Sequence, residues 1–151
     1  KHTVAQIPED DWKIAMIHAP ATDINVADLI TPLQMSNFDL VLNGHVHLLA
    51  HYQIDNNGTY ITSGAGCMVR TSRHASAQLE RSSCSSDNPF HSCQIVWQKT
   101  VAGYTTHEFN SDFSALKTNF YDSNSNLLHT AITQKGGGNS TMRLRVSNVL
   151  N

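Results

Sequence analysis

The sequence predicts a mixed α/β (α+β) fold, in which a βαβ unit is followed by a mainly antiparallel β meander. Apolar runs at residues 12–17 and 38–43 indicate two buried strands, and apolar residues recur at helical spacing between residues 26 and 33. Apolar and polar residues then alternate, as they do in meander strands, at residues 93–100, 103–109, 115–121 and 127–133. In a βαβ unit, functional groups collect beyond the carboxyl ends of the parallel strands.

Capping, proline and turn residues define the connections between these elements. Asn25 is expected to cap the helix, and Pro32 is expected to break or kink it. Residues 48–55 and 59–63 are predicted to form a hairpin around residues 56–58, because Asn-Gly supplies the positive φ angles that a tight turn needs.

The composition limits the classes of function. The 151 residues suffice for one domain or part of one, and a hydrophobic content of 40% suffices for a core. Lys and Arg number 10 against 12 Asp and Glu, without a basic run, so a nucleic-acid partner is not expected. The segment has no apolar stretch of about 18 residues, so no membrane span is expected in it.

Three histidines follow the two predicted buried strands. His18 comes directly after the first strand, and His45 and His47 follow the second. In an extended segment the side chains at i and i+2 project to one side, roughly 7 Å apart at Cα, and the two ions of a di-metal site lie ~3.5–4 Å apart. The pattern therefore predicts a di-metal site, with chance solvated imidazoles on an edge strand as the alternative. His51 is expected on the outer face of the next strand, or else lining the pocket.

Three motifs together resemble the last motifs of calcineurin-like metallophosphoesterases, and more narrowly those of the purple (tartrate-resistant) acid phosphatase branch. They are Ile-His-Ala-Pro at residues 17–20, Gly-His-Val-His at 44–47 and Ser-Gly-Ala-Gly at 63–66. The resemblance covers residues 12–133. It implies part of an αββα sandwich and metal-dependent hydrolysis of a phosphorylated substrate.

The resemblance also implies roles for individual residues. His18 and His45 would bind the second, divalent ion of the centre, and His47 would bind the first ion, commonly ferric iron in this branch. The expected cofactor is thus a di-metal centre of iron plus a divalent iron, zinc or manganese ion, all of which imidazole suits as a ligand.

The earlier motifs of that branch, Asp-x-His, Gly-Asp-x-x-Asp/Tyr and Gly-Asn-His, do not occur in this sequence. Residues 1–133 are therefore expected to form the C-terminal portion of a metallophosphoesterase domain, followed by a Gly-rich linker and tail at residues 134–151. The N-terminal half of the same protein is the expected partner, because it would supply the remaining ligands.

Weaker candidates lie in two loops. The branch places a leaving-group His in the loop after His-x-Pro, and this sequence has none there; Asp23 is the candidate replacement acid, with a helix cap or solvated residue as the alternative. In residues 67–92, Arg70, Arg73 and His74 are candidates for contacting the substrate phosphate, since guanidinium binds phosphate bidentately. Solvated surface charge is the alternative for all three.

Cysteines and glycosylation triplets bear on the compartment. Cys84 and Cys93 flank a polar loop that a disulfide would stiffen, although two unrelated thiols remain the alternative, since the chain has 3 cysteines. Cys67 would be buried or paired with the missing half. Asn57 and Asn139 begin Asn-x-Ser/Thr acceptor triplets. A secreted, extracellular or lysosome/vacuole-like location is expected.

Two functions from different classes remain open. One is an acid-phosphatase-like hydrolase seen through its C-terminal half. The other is a phosphatase-fold structural or interaction subunit without activity. The three expected ligand histidines favour the first, and the missing leaving-group His favours the second.

Overall fold

Most of the described secondary structure consists of strands in two sheets. The computed structural model describes residues 6–8, 10–22, 29–66, 69, 84 and 91–136. The first sheet has the order β1-β2-β4-β3-β5 and contains β1 (Ile14–Ile17), β2 (Leu40–Asn43), β3 (Leu49–Ile54), β4 (Asn57–Ser63) and β5 (Cys93–Lys99). The second sheet has the order β6-β7-β8 and contains β6 (Gly103–Phe109), β7 (Ala115–Asp122) and β8 (Leu127–Gln134), and the helix α1 spans Ile30–Met35. The predicted mixed α+β class is confirmed.

β1, β2 and β4 form the parallel part of the first sheet. β1 pairs with β2, and β2 with β4, in parallel, whereas β3 is antiparallel to both β4 and β5. The predicted strand–helix–strand unit is therefore present. The meander is confirmed for β6–β8, but β5 lies beside β3 in the other sheet. An alternating pattern predicts a strand without specifying its partner, and Trp97 of β5 packs against the core between the sheets.

Pro32 lies inside α1 and does not end it. The helix begins at Ile30, with Leu29 in the N-cap position and no side-chain capping bond. Pro32 therefore falls in the first turn, where backbone N–H groups have no intrahelical acceptor and a proline is tolerated. The prediction of a break there is wrong for that reason, and Asn25 lies outside the described residues. Within the part of the chain that the structure describes, no helix is long and apolar enough to span a membrane.

The β3–β4 hairpin turns earlier than the Asn-Gly dipeptide predicts. Ile54 pairs with Asn57, so the two turn residues are Asp55 and Asn56, with φ angles of 55° and 56°. Two positive φ angles define a type I′ turn, whose twist matches that of the strands. Asp and Asn adopt this left-handed conformation more readily than most other residues. Gly58, with φ of 69°, lies within β4.

The centre of the first sheet is buried on both faces. Val41 of β2 belongs to the same apolar cluster as Ile30 of α1. The preceding Leu40 belongs instead to a cluster with Leu116 and Phe120 of β7. Successive side chains of a strand point to opposite faces, so α1 and the second sheet cover opposite faces of the first. This double coverage explains why β2 has a continuous apolar sequence.

A disulfide between Cys84 and Cys93 is present, and it ends at the first residue of β5. Beside it, the Asp55 carboxylate contacts the His91 ring nitrogen Nδ1 at 2.6 Å and accepts a hydrogen bond from the Ser92 backbone N–H at 2.7 Å. Burial is the largest single influence and raises the pKa of the Asp55 carboxyl. The hydrogen bonds from His91, Gln34 and Ser92 together outweigh it and hold that pKa below its usual value. The hairpin turn thus anchors the start of β5.

Asp39 joins the start of the first sheet to the end of the second. Its buried carboxylate accepts hydrogen bonds from the backbone N–H of Lys13 at 2.8 Å and of Gly136 at 2.6 Å. Lys13 precedes β1, and Gly136 follows β8. The side chain therefore satisfies two donors that would lose their partner without it, and it does so across the boundary between the sheets.

Asp39→Ala is expected to lower the free energy of unfolding by about 2–3 kcal/mol, because two backbone donors lose a charged acceptor. Urea unfolding at neutral pH measures the change. Asp112→Ala is the matched control, since this exposed carboxylate bonds to Ser114 within a single turn. A loss of stability in the control as large as that in Asp39→Ala would contradict the bridging role.

Candidate metal centre

The parallel pairing of β1 and β2 brings His18 and His45 together. Ile17 pairs with Asn43, so β1 and β2 end at the same level, and His18 directly follows β1. The Gly44 backbone N–H donates to the His18 carbonyl oxygen at 3.0 Å. His45 Nδ1 then lies 3.1 Å from His18 Nε2, and the ring centroids are 5.0 Å apart. Two of the three predicted ligands therefore meet at the carboxyl ends of adjacent parallel strands.

His45 and His47 lie in consecutive tight turns and not in the extended segment that the sequence analysis assumed. The Val46 N–H donates to the Gly44 carbonyl oxygen at 2.7 Å, and the Leu48 N–H donates to the Val46 carbonyl oxygen at 2.8 Å. These are γ-turns centred on His45 and His47. The turn at His45 has a φ angle of 61°, the rare and strained form of a γ-turn. The i, i+2 spacing of a strand therefore does not describe these two side chains.

Gly64 of the Ser-Gly-Ala-Gly motif packs directly against this histidine loop. Its backbone N–H donates to the Leu48 carbonyl oxygen at 3.2 Å. A Cβ atom at Gly64 would overlap the Val46 carbonyl group, which lies between the two loop histidines. A Cβ atom at Gly66 would contact nothing within 4 Å. The first glycine of the motif therefore has a structural reason to be glycine, namely the close approach of two backbones.

The separation of the two imidazoles fits joint coordination of one ion. Two nitrogens bound tetrahedrally at Zn–N distances of about 2.0–2.1 Å lie about 3.3 Å apart, and the pair His18 Nε2 and His45 Nδ1 is 3.1 Å apart. Within the described ranges, however, no three His, Cys, Asp or Glu side chains are grouped so that they could hold an ion. His47 is thus not gathered with the other two, and the described residues alone do not complete a metal site.

The buried polar residues beneath the loop hold neighbouring strands together by side-chain hydrogen bonds. The Asn43 amide donates to the Tyr52 hydroxyl at 2.7 Å and accepts a hydrogen bond from the Thr62 hydroxyl at 2.6 Å, and all three residues are buried. Burial is the main cause of a raised pKa for Tyr52, so its hydroxyl stays protonated. These bonds fix the end of β2 against β3 and β4, and hence the position from which the histidine loop departs.

The other predicted site residues are not tested by the structure. Those outside the described residues are Asp23, Cys67, Arg70, Arg73, His74 and Asn139. Asn57 begins β4, and its side-chain oxygen Oδ1 is buried without a hydrogen-bond partner among the described residues. Its glycosylation stays a prediction.

A second histidine pair was missed by the sequence analysis. His51 of β3 lies half-buried between the sheets with its Nδ1 3.2 Å from His129 Nε2 of β8, so the expectation of an outward-facing His51 is wrong. The physical reason is that its partner on β5 is Trp97, which packs against the core between the sheets together with Phe120 of β7. The period-two pattern of β8 placed His129 on one face of that strand, but nothing local in the sequence indicated its partner.

The described residues define a mixed α+β protein of two sheets, with a histidine pair at adjacent strand ends. Neither a protein-family model nor a curated protein matches the chain. Among solved structures it is similar to GAP50, described as the anchor in the inner membrane complex of Plasmodium, with a TM-score of 0.57 and 18% identity. The similarity covers 88% of this chain and 39% of the GAP50 chain. This chain therefore spans well under half the length of that protein, and the similarity concerns the fold alone.

Gly64→Ala is expected to weaken binding of Zn²⁺ or Co²⁺ about tenfold or more, because displacing the Val46 carbonyl moves the loop that orients His45. Isothermal titration calorimetry on the full-length protein measures the affinity. Gly66→Ala is the matched control, with open space around the added methyl group. Equal affinities in the two variants would show that the contact between Gly64 and the loop does not position the ligands.

Proposed function

We propose that this chain is part of a metallophosphoesterase-like αββα sandwich that hydrolyses phosphoesters at a di-metal centre. The observation that carries the proposal is the 3.1 Å approach of His18 and His45 at the carboxyl ends of adjacent parallel strands. The order of the three motifs along the chain supports the same assignment. The GAP50 similarity supports the fold and is silent on the reaction.

The histidines have separate tasks in this proposal. His18 and His45, whose Nε2 and Nδ1 atoms face each other, would hold the divalent ion together. His47, at the centre of the following turn, would hold the ferric ion. When bound, such a pair of cations polarises a phosphoryl oxygen and lowers the pKa of a water molecule. The backbone of residues 44–48, fixed by its own hydrogen bonds and by Gly64, orients the imidazoles before any ion arrives.

The remaining ligands come from polypeptide that precedes this chain in the same protein. Two imidazoles on one ion and one on the other leave both coordination spheres incomplete, and a bridging carboxylate is needed as well. This chain spans 39% of the length of the similar GAP50 structure, which leaves room for such a segment in a protein of that size. The disulfide and the two acceptor triplets support a secreted or lysosome-like location.

A second candidate is a phosphatase-fold anchor or interaction subunit without catalytic activity. Its specific support is that GAP50, the similar solved structure, is described as an anchor. The sequence also has no leaving-group His in the loop after residues 17–20. Both candidates are compatible with metal binding, and they differ in turnover.

Metal content of the full-length protein and its variants tests the assignment of ligands. His47→Ala is expected to abolish bound iron and its visible absorption, whereas His18→Ala and His45→Ala are expected to lose the divalent ion. His107→Ala is the matched control, since both of its ring nitrogens contact threonines inside the second sheet. Unchanged metal content in the first three variants would remove the basis of the proposal.

The hydrolysis rates of two phosphoester substrates distinguish the hydrolase candidate from the anchor candidate. Without the usual leaving-group His, hydrolysis of a nitrophenyl phosphate, whose leaving group needs little protonation, is expected to be at least about tenfold faster than that of an alkyl phosphate. Metal-loaded full-length protein that hydrolyses neither supports the anchor. Equal rates on both substrates would mean that another residue donates the proton.

A further inference from the structure

The second histidine pair connects the two sheets of the fold. His51 Nδ1 on β3 lies 3.2 Å from His129 Nε2 on β8, and the ring centroids are 5.4 Å apart. The His129 ring stacks on Trp97 of β5, with centroids 4.8 Å apart and planes 9° from parallel. Phe120 of β7 lies 5.3 Å from His129 and 5.1 Å from Trp97. The pair therefore lies in an aromatic cluster at the sheet–sheet interface.

The hydrogen bond between the two ring nitrogens requires that one of them carries a hydrogen and that the other does not. In a neutral pair, one nitrogen carries a hydrogen and donates it to the lone pair of the other. If both rings are protonated, two N–H groups and two positive charges face each other across 3.2 Å, and the hydrogen bond is lost. The hydrogen bond can therefore form in the neutral pair and in the singly protonated pair, and it is lost only when both rings are charged.

The surroundings favour the neutral form. Burial, and secondly the charge of His129, lower the pKa of His51 to about 4 from its ordinary 6.5. Burial also lowers the pKa of His129. The aromatic rings of Trp97 and Phe120 provide no acceptor for an additional imidazolium hydrogen.

Other titratable groups lie on the same packed faces. Lys99 on β5 is in register with Leu49 of the inter-sheet core, and Asp122 follows Phe120 on β7 with one residue between them. Hydrogen bonds from Asn126 are the main cause of the lowered pKa of Asp122, to which the charge of Lys99 also contributes, so these two groups act on each other. On β4 the residue opposite His51 is Ile61, which carries no charge.

The remaining group is His107 on β6, whose ring nitrogens contact the Thr118 hydroxyl at 2.9 Å and the Thr105 hydroxyl at 3.2 Å. Burial lowers its pKa as well. These contacts lie within the second sheet, so protonation of His107 does not act across the interface. It provides a control for a histidine that bonds within one sheet and does not join the two sheets.

We propose that His51 and His129 form an acid-sensitive latch that holds the second sheet on the first at neutral pH and releases it in acid. Because an imidazole kept neutral by folding has a lowered pKa, its contribution to stability is fully present above the ordinary pKa. That contribution is lost as the pH falls towards the lowered value. The working window is therefore pH 6.5 down to about 4. Release begins at the aromatic cluster, where Trp97 and His129 separate.

The first test compares unfolding equilibria of the full-length protein at pH 7 and pH 4.5. With a pKa of about 4 in the folded state and 6.5 in the unfolded state, His51 alone raises the unfolding constant about 50-fold over this range. The double variant His51→Leu/His129→Phe, which replaces both partners by apolar groups, is expected to lose this increase of the unfolding constant in acid. His107→Gln is expected to keep it. An undiminished pH dependence in the double variant overturns the latch.

The second test asks whether the two sheets separate at the contact between Trp97 and His129. The chain has 2 tryptophans, so Trp12→Phe leaves the fluorescence of Trp97 alone. Its emission is expected to change as the pH falls from 6.5 to about 4, before global unfolding, and to stay constant over that range in the double variant. If the double variant does not fold, NMR titration of the wild-type imidazoles decides instead. Ordinary pKa values near 6.5 for both His51 and His129 would overturn the proposal.

Discussion

The parallel pairing of β1 with β2 is the constraint on which the candidate site depends. The two strands are held in register because β2 is covered by α1 on one face and by the second sheet on the other. Both strands end at the same level, which allows the Gly44 N–H to bond the His18 carbonyl. The meeting of His18 and His45 is thus a consequence of register. A shift of one residue would turn alternate side chains to the opposite face and separate the two rings.

The features that could be predicted from the sequence are those encoded locally. Apolar runs predict β1 and β2, and the residue order alone places their histidines at the strand ends. Features that depend on distant partners could not be predicted. His51 and His129 are 78 residues apart, and no local pattern connects them. The position of β5 depends on packing between the sheets, which an alternating sequence does not specify. The effect of Pro32 also depends on where the helix begins, and the sequence does not fix that position to within one turn.

The two histidine pairs have almost the same nitrogen–nitrogen distance and opposite surroundings. His18 and His45 lie 3.1 Å apart and are exposed at the strand ends, where solvent reaches both rings. His51 and His129 lie 3.2 Å apart against Trp97 and Phe120. The second pair is half-buried and His129 packs on two aromatic rings, so the same contact there joins two layers. The same contact therefore lies at an open strand end in one pair and between two packed sheets in the other.

The backbone at His45 supports the proposed binding role of the exposed pair. A residue other than glycine at φ of 61° in a γ-turn is strained, by about 1–3 kcal/mol. Such a conformation persists only where its surroundings impose it, and here the Val46 and Leu48 hydrogen bonds and the contact with Gly64 do so. A loop that served only to connect β2 with β3 would gain stability from glycine at that position. A histidine held there at a cost in stability supports the proposal that its ring nitrogen binds an ion.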